Sequence, residues 1–170
     1  PLETYLRGRL PEREGLRLTK LKRTPGGMSR QTWFADVEWG AGAEPQRQRL
    51  TIRIDHDEGS VIATPIEFEY KVMTSLHGSA VPVAETLWYE ADTSLFGRDF
   101  YVRDCIAGDA SPKRLYAPGA DAFRAHIGRQ LIELMADLHT LDWEALGMAD
   151  YMAVPATPQD AALLEVDRWR

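Results

Sequence analysis

Up to Ile106 this chain reads mostly in strand-like alternation, and after Gly108 it reads in helical spacing. That segregation constrains the fold most. Strands gathered in one half and helices in the other build an α+β architecture, not an alternating α/β one. Residues 16–21 alternate apolar and polar. Residues 32–39 put Trp33, Ala35, Val37 and Trp39 on one face, and residues 50–54 put Leu50, Ile52 and Ile54 on one face with Thr51 and Arg53 on the other. Gly26 and Gly27 punctuate the first gap, and a Gly- and Pro-bearing loop over 40–45 punctuates the second. Strand, glycine turn, strand, loop, strand predicts an antiparallel meander, and such a sheet needs a cover. Residues 85–89 and 99–106 add two more strands, for about five in all.

Two helices interrupt this half. Leu2, Tyr5, Leu6 and Leu10 recur at helical spacing before Pro11. Thr64 as cap, Pro65 at the first helical position and Glu67 three after the cap predict a helix through Met73, with Gly78 beyond it. Ile66, Tyr70 and Met73 form its inward stripe, and Glu69 lies along the edge of that stripe. A carboxylate placed there is partly desolvated, which is costly without a cation. Arg53, on the strand leading into the helix, is the nearest candidate in sequence. The alternative is two unrelated charges, each reaching water along its own stem.

Past Gly108, Phe123, Ile127, Leu131, Leu134 and Leu138 form a long amphipathic stripe flanked by Met135. Thr157 to Asp160 reads as a second capped start, followed by Leu163, Val166 and Trp169.

Composition removes several function classes. No run of about 20 apolar residues predicts a membrane span. The net charge is −6 with no dense basic stripe, which argues against nucleic acid as partner. The first residues lack the basic and apolar regions of a secretory signal, and the lone Cys105 leaves no internal disulfide, so a reducing cytoplasm is expected. His56, His77, His126 and His139 show no metal-ligand spacing with a carboxylate, so no protein-built metal site is expected. Cys105 reads as a small buried residue. The sequence contains no asparagine, so a mechanism needing an Asn ligand cannot be completed within it.

The order of these elements resembles the small lobe of a protein kinase, and more closely the aminoglycoside phosphotransferase and choline kinase-like family. The matching residues are Gly26, Gly27, Met28 and Ser29 in a phosphate loop, 50–53 as the cationic strand and 69–73 in the helix. They continue with 81–83, with 100–108 as a hinge and with 138–143 at the end of the first large-lobe helix. The resemblance implies a nucleotide-binding small lobe with hinge over 1–107 and the beginning of a helical large lobe over 108–170. It implies an ATP-dependent transfer of the γ-phosphate, with Mg2+, to a hydroxyl of a small molecule: an aminoglycoside, a macrolide, a choline-like or an acyl alcohol. In that resemblance the backbone of Gly26 to Ser29 approaches the phosphates, Arg53 grips them and Glu69 aims Arg53. Thr51 lies over the adenine ring, and the carbonyl of Asp104 with the N–H of Ile106 meets the base edge.

Three departures accompany the likeness. Arg53 stands where kinases more often use Lys, and Arg30 where the family usually has Asn. The family's His-Gly-Asp loop, its trailing Asn and its second, magnesium-binding Asp are absent, so no catalytic or metal-binding residue is expected in this chain, and the catalytic segment is expected to lie beyond it. The competing class is a non-catalytic, pseudokinase-type nucleotide-binding module, or a plain interaction module. The uncovered apolar stripe of the later helix also predicts self-association, with a homodimer as one form.

Overall fold

The computed structural model describes residues 1–24, 30–42, 44–55, 64–108 and 111–168. Its elements are α1 (Leu2–Arg9), β1 (Arg17–Arg23), β2 (Arg30–Trp39), β3 (Gln46–Asp55), α2 (Ile66–Leu76), β4 (Thr86–Glu90), β5 (Phe100–Asp104), α3 (Asp121–His139) and α4 (Pro158–Arg168). The five strands form one antiparallel sheet in the order β1-β2-β3-β5-β4. This is the expected α+β class, a kinase-like small lobe followed by helices. β5 returns between β3 and β4, so the excursion through α2 leaves β4 at the edge.

The period-two alternation of β2 and β3 decides which element covers which face. Ala35, Val37, Leu50, Ile52, Ile54, Phe100 and Val102 pack with Leu2, Leu6, Leu10 and Leu16, so α1 and the segment after it cover this face. Trp33, Trp39 and Trp88 flank that core. The opposite face carries Thr32, Phe34, Arg53, Thr51 and Tyr101 in register, with Thr32 opposite Arg53 and Arg53 opposite Tyr101. α2 lies over the Tyr101 end of that face, where Tyr70 meets Tyr101 and Tyr89 with ring centroids 5.8 Å apart in each case. Glu69 is thereby carried down to the sheet.

Two local expectations change. α2 begins at Ile66 with Pro65 as its N-cap and no side-chain cap. Thr64 contributes its carbonyl instead, which accepts from Arg30. β5 ends at Asp104, two residues before the expected end, because Leu50 opposite Asp104 is the last pair of that ladder. Cys105 therefore leaves the sheet and is half-buried, not a core residue. At α4 the capped start forms: Thr157 Oγ1 accepts from the Asp160 N–H at 3.2 Å and donates to Asp160 Oδ2 at 2.7 Å.

The helical half packs differently. α3 buries none of its residues. The chain after it returns to α2, where Met148 is buried, Tyr151 Oη donates to Ser75 Oγ at 3.0 Å and the Tyr151 ring meets Phe68 edge-on.

Candidate functional site

Arg53 and Glu69 do meet. Arg53 Nε donates to Glu69 Oε1 at 3.1 Å, and its Nη2 reaches Oε2 at 3.5 Å. Arg53 Nη1 donates to Thr32 Oγ1 at 2.6 Å. The cross-strand neighbour of Arg53 is Thr32, so the sheet register delivers that contact, while the packing of α2 over this face delivers Glu69. A guanidinium has five N–H groups. Among the described residues, Arg53 directs them to one carboxylate and one hydroxyl, which fixes the plane of the group.

Glu69 is the hub. Tyr101 Oη donates to its Oε1 at 2.7 Å, and Arg30 Nε donates to its Oε2 at 3.2 Å. Burial alone would raise the Glu69 carboxyl. The Tyr101 hydroxyl, the charge and hydrogen bonds of Arg53, and Arg30 together outweigh it, and the group sits below the ordinary glutamate value. The same contact, added to burial, pushes the Tyr101 phenol upward. Glu69 is thus held as a carboxylate, which is the form that can orient two guanidinium groups.

Arg30, Thr32, Tyr101 and Asp55 are members of this cluster that the sequence did not announce. Arg30 is 8% exposed, opens β2 opposite Asp55, and donates to the Asp55 carboxylate and the Thr64 carbonyl as well as to Glu69. Burial raises the Asp55 carboxyl, and the nearby Arg30 charge only partly offsets this. The signal that could have found them is register. Counting β2 back from Thr32 by two places Arg30 on the Arg53 face.

A second feature lies at the other end of the same face, an open cavity of about 730 Å³. Phe34, Asp36, Arg49 and the backbone run from Asp104 to Gly108 line it. Arg49 grips Asp36 through both carboxylate oxygens, at 2.5 and 2.9 Å, and this holds the Asp36 carboxyl below its usual value. Asp104 and Ile106 both belong to this wall. The Asp104 carbonyl accepts from Arg103 Nη1 at 3.3 Å, and its side chain accepts from Gln48 Nε2. Arg49 and Arg53 are four residues apart on one strand face, which at the strand rise separates the cavity from the ion cluster by about 13 Å.

Thr51 lies between them on that face, but it is 1% exposed and does not line the cavity. Its hydroxyl is buried without a partner among the described residues. Thr51 is thus packed into the sheet face between the cavity and the ion cluster. The turn residues Gly26, Gly27, Met28 and Ser29 lie outside the described residues. Asp142, at the end of the helical match, accepts from the Ala145 N–H at 3.0 Å and shapes a turn. Among the described residues no group of three His, Cys, Asp or Glu side chains could hold a metal ion, and no helix is long and apolar enough to cross a membrane.

A kinase-like sheet with a guanidinium held by a helix carboxylate defines a class, and the sequence comparisons agree with it. The profile of the Phosphotransferase enzyme family, APH, matches residues 20–170, and the chain belongs to this family. A solved structure assigned as an aminoglycoside phosphotransferase from Ralstonia eutropha superposes with a TM-score of 0.66 at 25% identity, covering 99% of this chain and 44% of that one. Among curated proteins, acyl-CoA dehydrogenase family member 11 of Rattus norvegicus is 32% identical over 158 residues, 88% of this chain and 19% of that protein. The Homo sapiens protein of the same name is 33% identical over 90 residues, 52% of this chain and 11% of that protein. The chain thus spans about a fifth of the length of the rat relative.

Proposed function

We propose that this chain forms the nucleotide-binding part of an ATP-dependent phosphotransferase that phosphorylates a hydroxyl of a small molecule. The observation that carries the reading is the Arg53–Glu69 ion pair on the inner face of a kinase-like sheet, in a chain of the phosphotransferase family. In this reading residues 1–107 are the small lobe with its hinge and residues 108–170 begin the large lobe. Arg53 turns its remaining N–H groups to the phosphates while Glu69, Tyr101 and Thr32 keep it in place. The base lies at the cavity wall, against the backbone of Asp104 and Ile106. Gly26, Gly27, Met28 and Ser29 supply backbone N–H groups to the phosphates, a role that rests on the family resemblance alone.

ATP fits the donors on hand, a fixed guanidinium at one end of a strand face and an open cavity at the other. Magnesium would neutralise the phosphate charge there. The carboxylates and Asn that hold it, and the carboxylate that orients the acceptor hydroxyl, come from outside these 170 residues in this reading, consistent with the far greater length of the relatives. Among acceptor classes we rank hydroxyl-bearing acyl compounds first, because the curated relatives are named for acyl-CoA chemistry, and aminoglycosides second, after the structural neighbour. The site of action is the cytoplasm in this reading.

The test is nucleotide binding and turnover by the full-length gene product. ATP consumption should depend on a hydroxylated acyl compound and not on an aminoglycoside, and Arg53→Ala should lower kcat/KM by at least about a hundredfold. ATP binding with no turnover on any acceptor would leave the non-catalytic module standing. Near-normal rates in Arg53→Ala would remove the assignment of Arg53.

A further inference from the structure

Arg30 is the least solvent-accessible cation of the cluster, and the proposed function gives it no work. Its side chain cannot itself present charge to a ligand at the surface. Its three nitrogens go to three elements: Nη1 to Asp55 at the end of β3, Nη2 to the Thr64 carbonyl at the entry to α2, and Nε to Glu69 within α2. A planar guanidinium can address three acceptors in fixed directions, and a lysine ammonium at the same Cα is a point charge without that fork.

The charges around it make the arrangement informative. Glu69 and Asp55 stand against Arg30 and Arg53, and Arg98 and Asp99 add one charge of each sign near Asp55. Tyr89 donates to Asp99 at 2.7 Å, which keeps that carboxylate within the group. With Arg30 present the two signs balance. Remove it, and these carboxylates outnumber these cations by one, with Arg53 the one guanidinium left on Glu69 beside the Tyr101 hydroxyl. A guanidinium engaged on both edges by a carboxylate has little field left for an incoming anion.

We propose that Arg30 is a positioning residue for the phosphate end of the site: by sharing Glu69 and neutralising Asp55, it leaves Arg53 both aimed and electrostatically free to bind a polyphosphate. This rests on the nucleotide reading and deepens it. The site would then discriminate ligands by phosphate charge through a residue that never touches them.

The experiment measures dissociation constants for ATP, ADP and adenosine in the full-length protein by calorimetry, for the wild type, Arg30→Met, Arg30→Lys and the double variant Arg30→Met with Asp55→Asn. Arg30→Met should weaken ATP by about 10- to 100-fold and ADP less, and change adenosine by under about threefold. Asp55→Asn in that background should return most of the lost ATP affinity, because it restores the balance of charge without restoring the fork. Arg30→Lys should fall between the wild type and Arg30→Met. If Arg30→Met does not fold, as judged by circular dichroism, the lysine variant and the double variant carry the comparison. Equal losses for ATP and adenosine, or no recovery in the double variant, would mean that Arg30 is only a structural clamp and would overturn the proposal. A wild-type protein that binds no nucleotide at all would overturn the function proposed above, and this inference with it.

Discussion

The sheet half and the helical half of this chain are both rich in apolar sequence and put it to opposite uses. In the sheet half, Leu6, Leu16, Leu50, Ile52 and Phe100 are fully enclosed, and beside them lies a half-buried cluster of charges of which Arg30 is enclosed. In the helical half, α3 has no buried residue, and Ile132 is 65% exposed with Leu131 close behind. The difference shows that burial here follows layer formation, not hydrophobicity. The sheet has α1 over one face and α2 over one end of the other, whereas the amphipathic stripe of α3 meets little among the described residues beyond the Arg114 guanidinium over Phe123. The charged site belongs to the sheet half, where partial burial strengthens the pull between Arg53, Arg30 and Glu69.

Unfolding measurements can break that comparison. Phe100→Ala in the sheet core should cost about 3–5 kcal/mol in denaturant unfolding, whereas Ile132→Ala on α3 should change stability by no more than about 0.5 kcal/mol. Comparable costs at the two sites would show that α3 is packed after all. A smaller effect sharpens the account of the charged cluster. Tyr101→Phe removes the hydroxyl that donates to Glu69 and should cost about 2 kcal/mol at neutral pH.

The same variant tests the acid limb. The Glu69 carboxyl sits lower in the folded chain than its ordinary value of 4.5, so its stabilising contribution is complete above that pH. It is lost as the pH falls through the lowered folded value. Tyr101→Phe should move that loss to higher pH, and Glu69→Gln should remove this part of the acid sensitivity, both read from unfolding curves across the acid range. An unchanged acid limb in both variants would mean that the carboxylate is not held as described.

The smallest effect concerns α3. Leu131→Lys should leave the unfolding free energy within about 0.5 kcal/mol while reducing self-association of the 170-residue chain in sedimentation. A chain that is already monomeric before the substitution would remove that expectation.

Much of the sheet was legible because one face of every inner strand is enclosed. Trp33, Ala35, Val37 and Trp39 on β2 and Leu50, Ile52 and Ile54 on β3 declare their face by alternation alone. The Glu69 helix was legible from Pro65 and its apolar stripe, whereas periodicity left the Arg53–Glu69 contact and two separately solvated charges both open until the structure joined them. The order of strands was not legible, since nothing in β4 or β5 says which of them lies beside β3. Arg30 was missed as a site residue because a single charge at a strand entry reads as solvated until the register sets Asp55 across from it. Thr51 marks the limit of such reading, since its side chain is enclosed on the Arg53 face. Alternation tells which face a residue occupies, and it says nothing about how thickly that face is covered.

The return of the chain to α2 has one consequence beyond packing. Tyr151 is latched to Ser75 by a hydroxyl pair and rests on Phe68, the immediate neighbour of Glu69. Two turns of the same helix are therefore tethered to a segment from the opposite half, so the stretch that carries Glu69 is anchored on both of its sides.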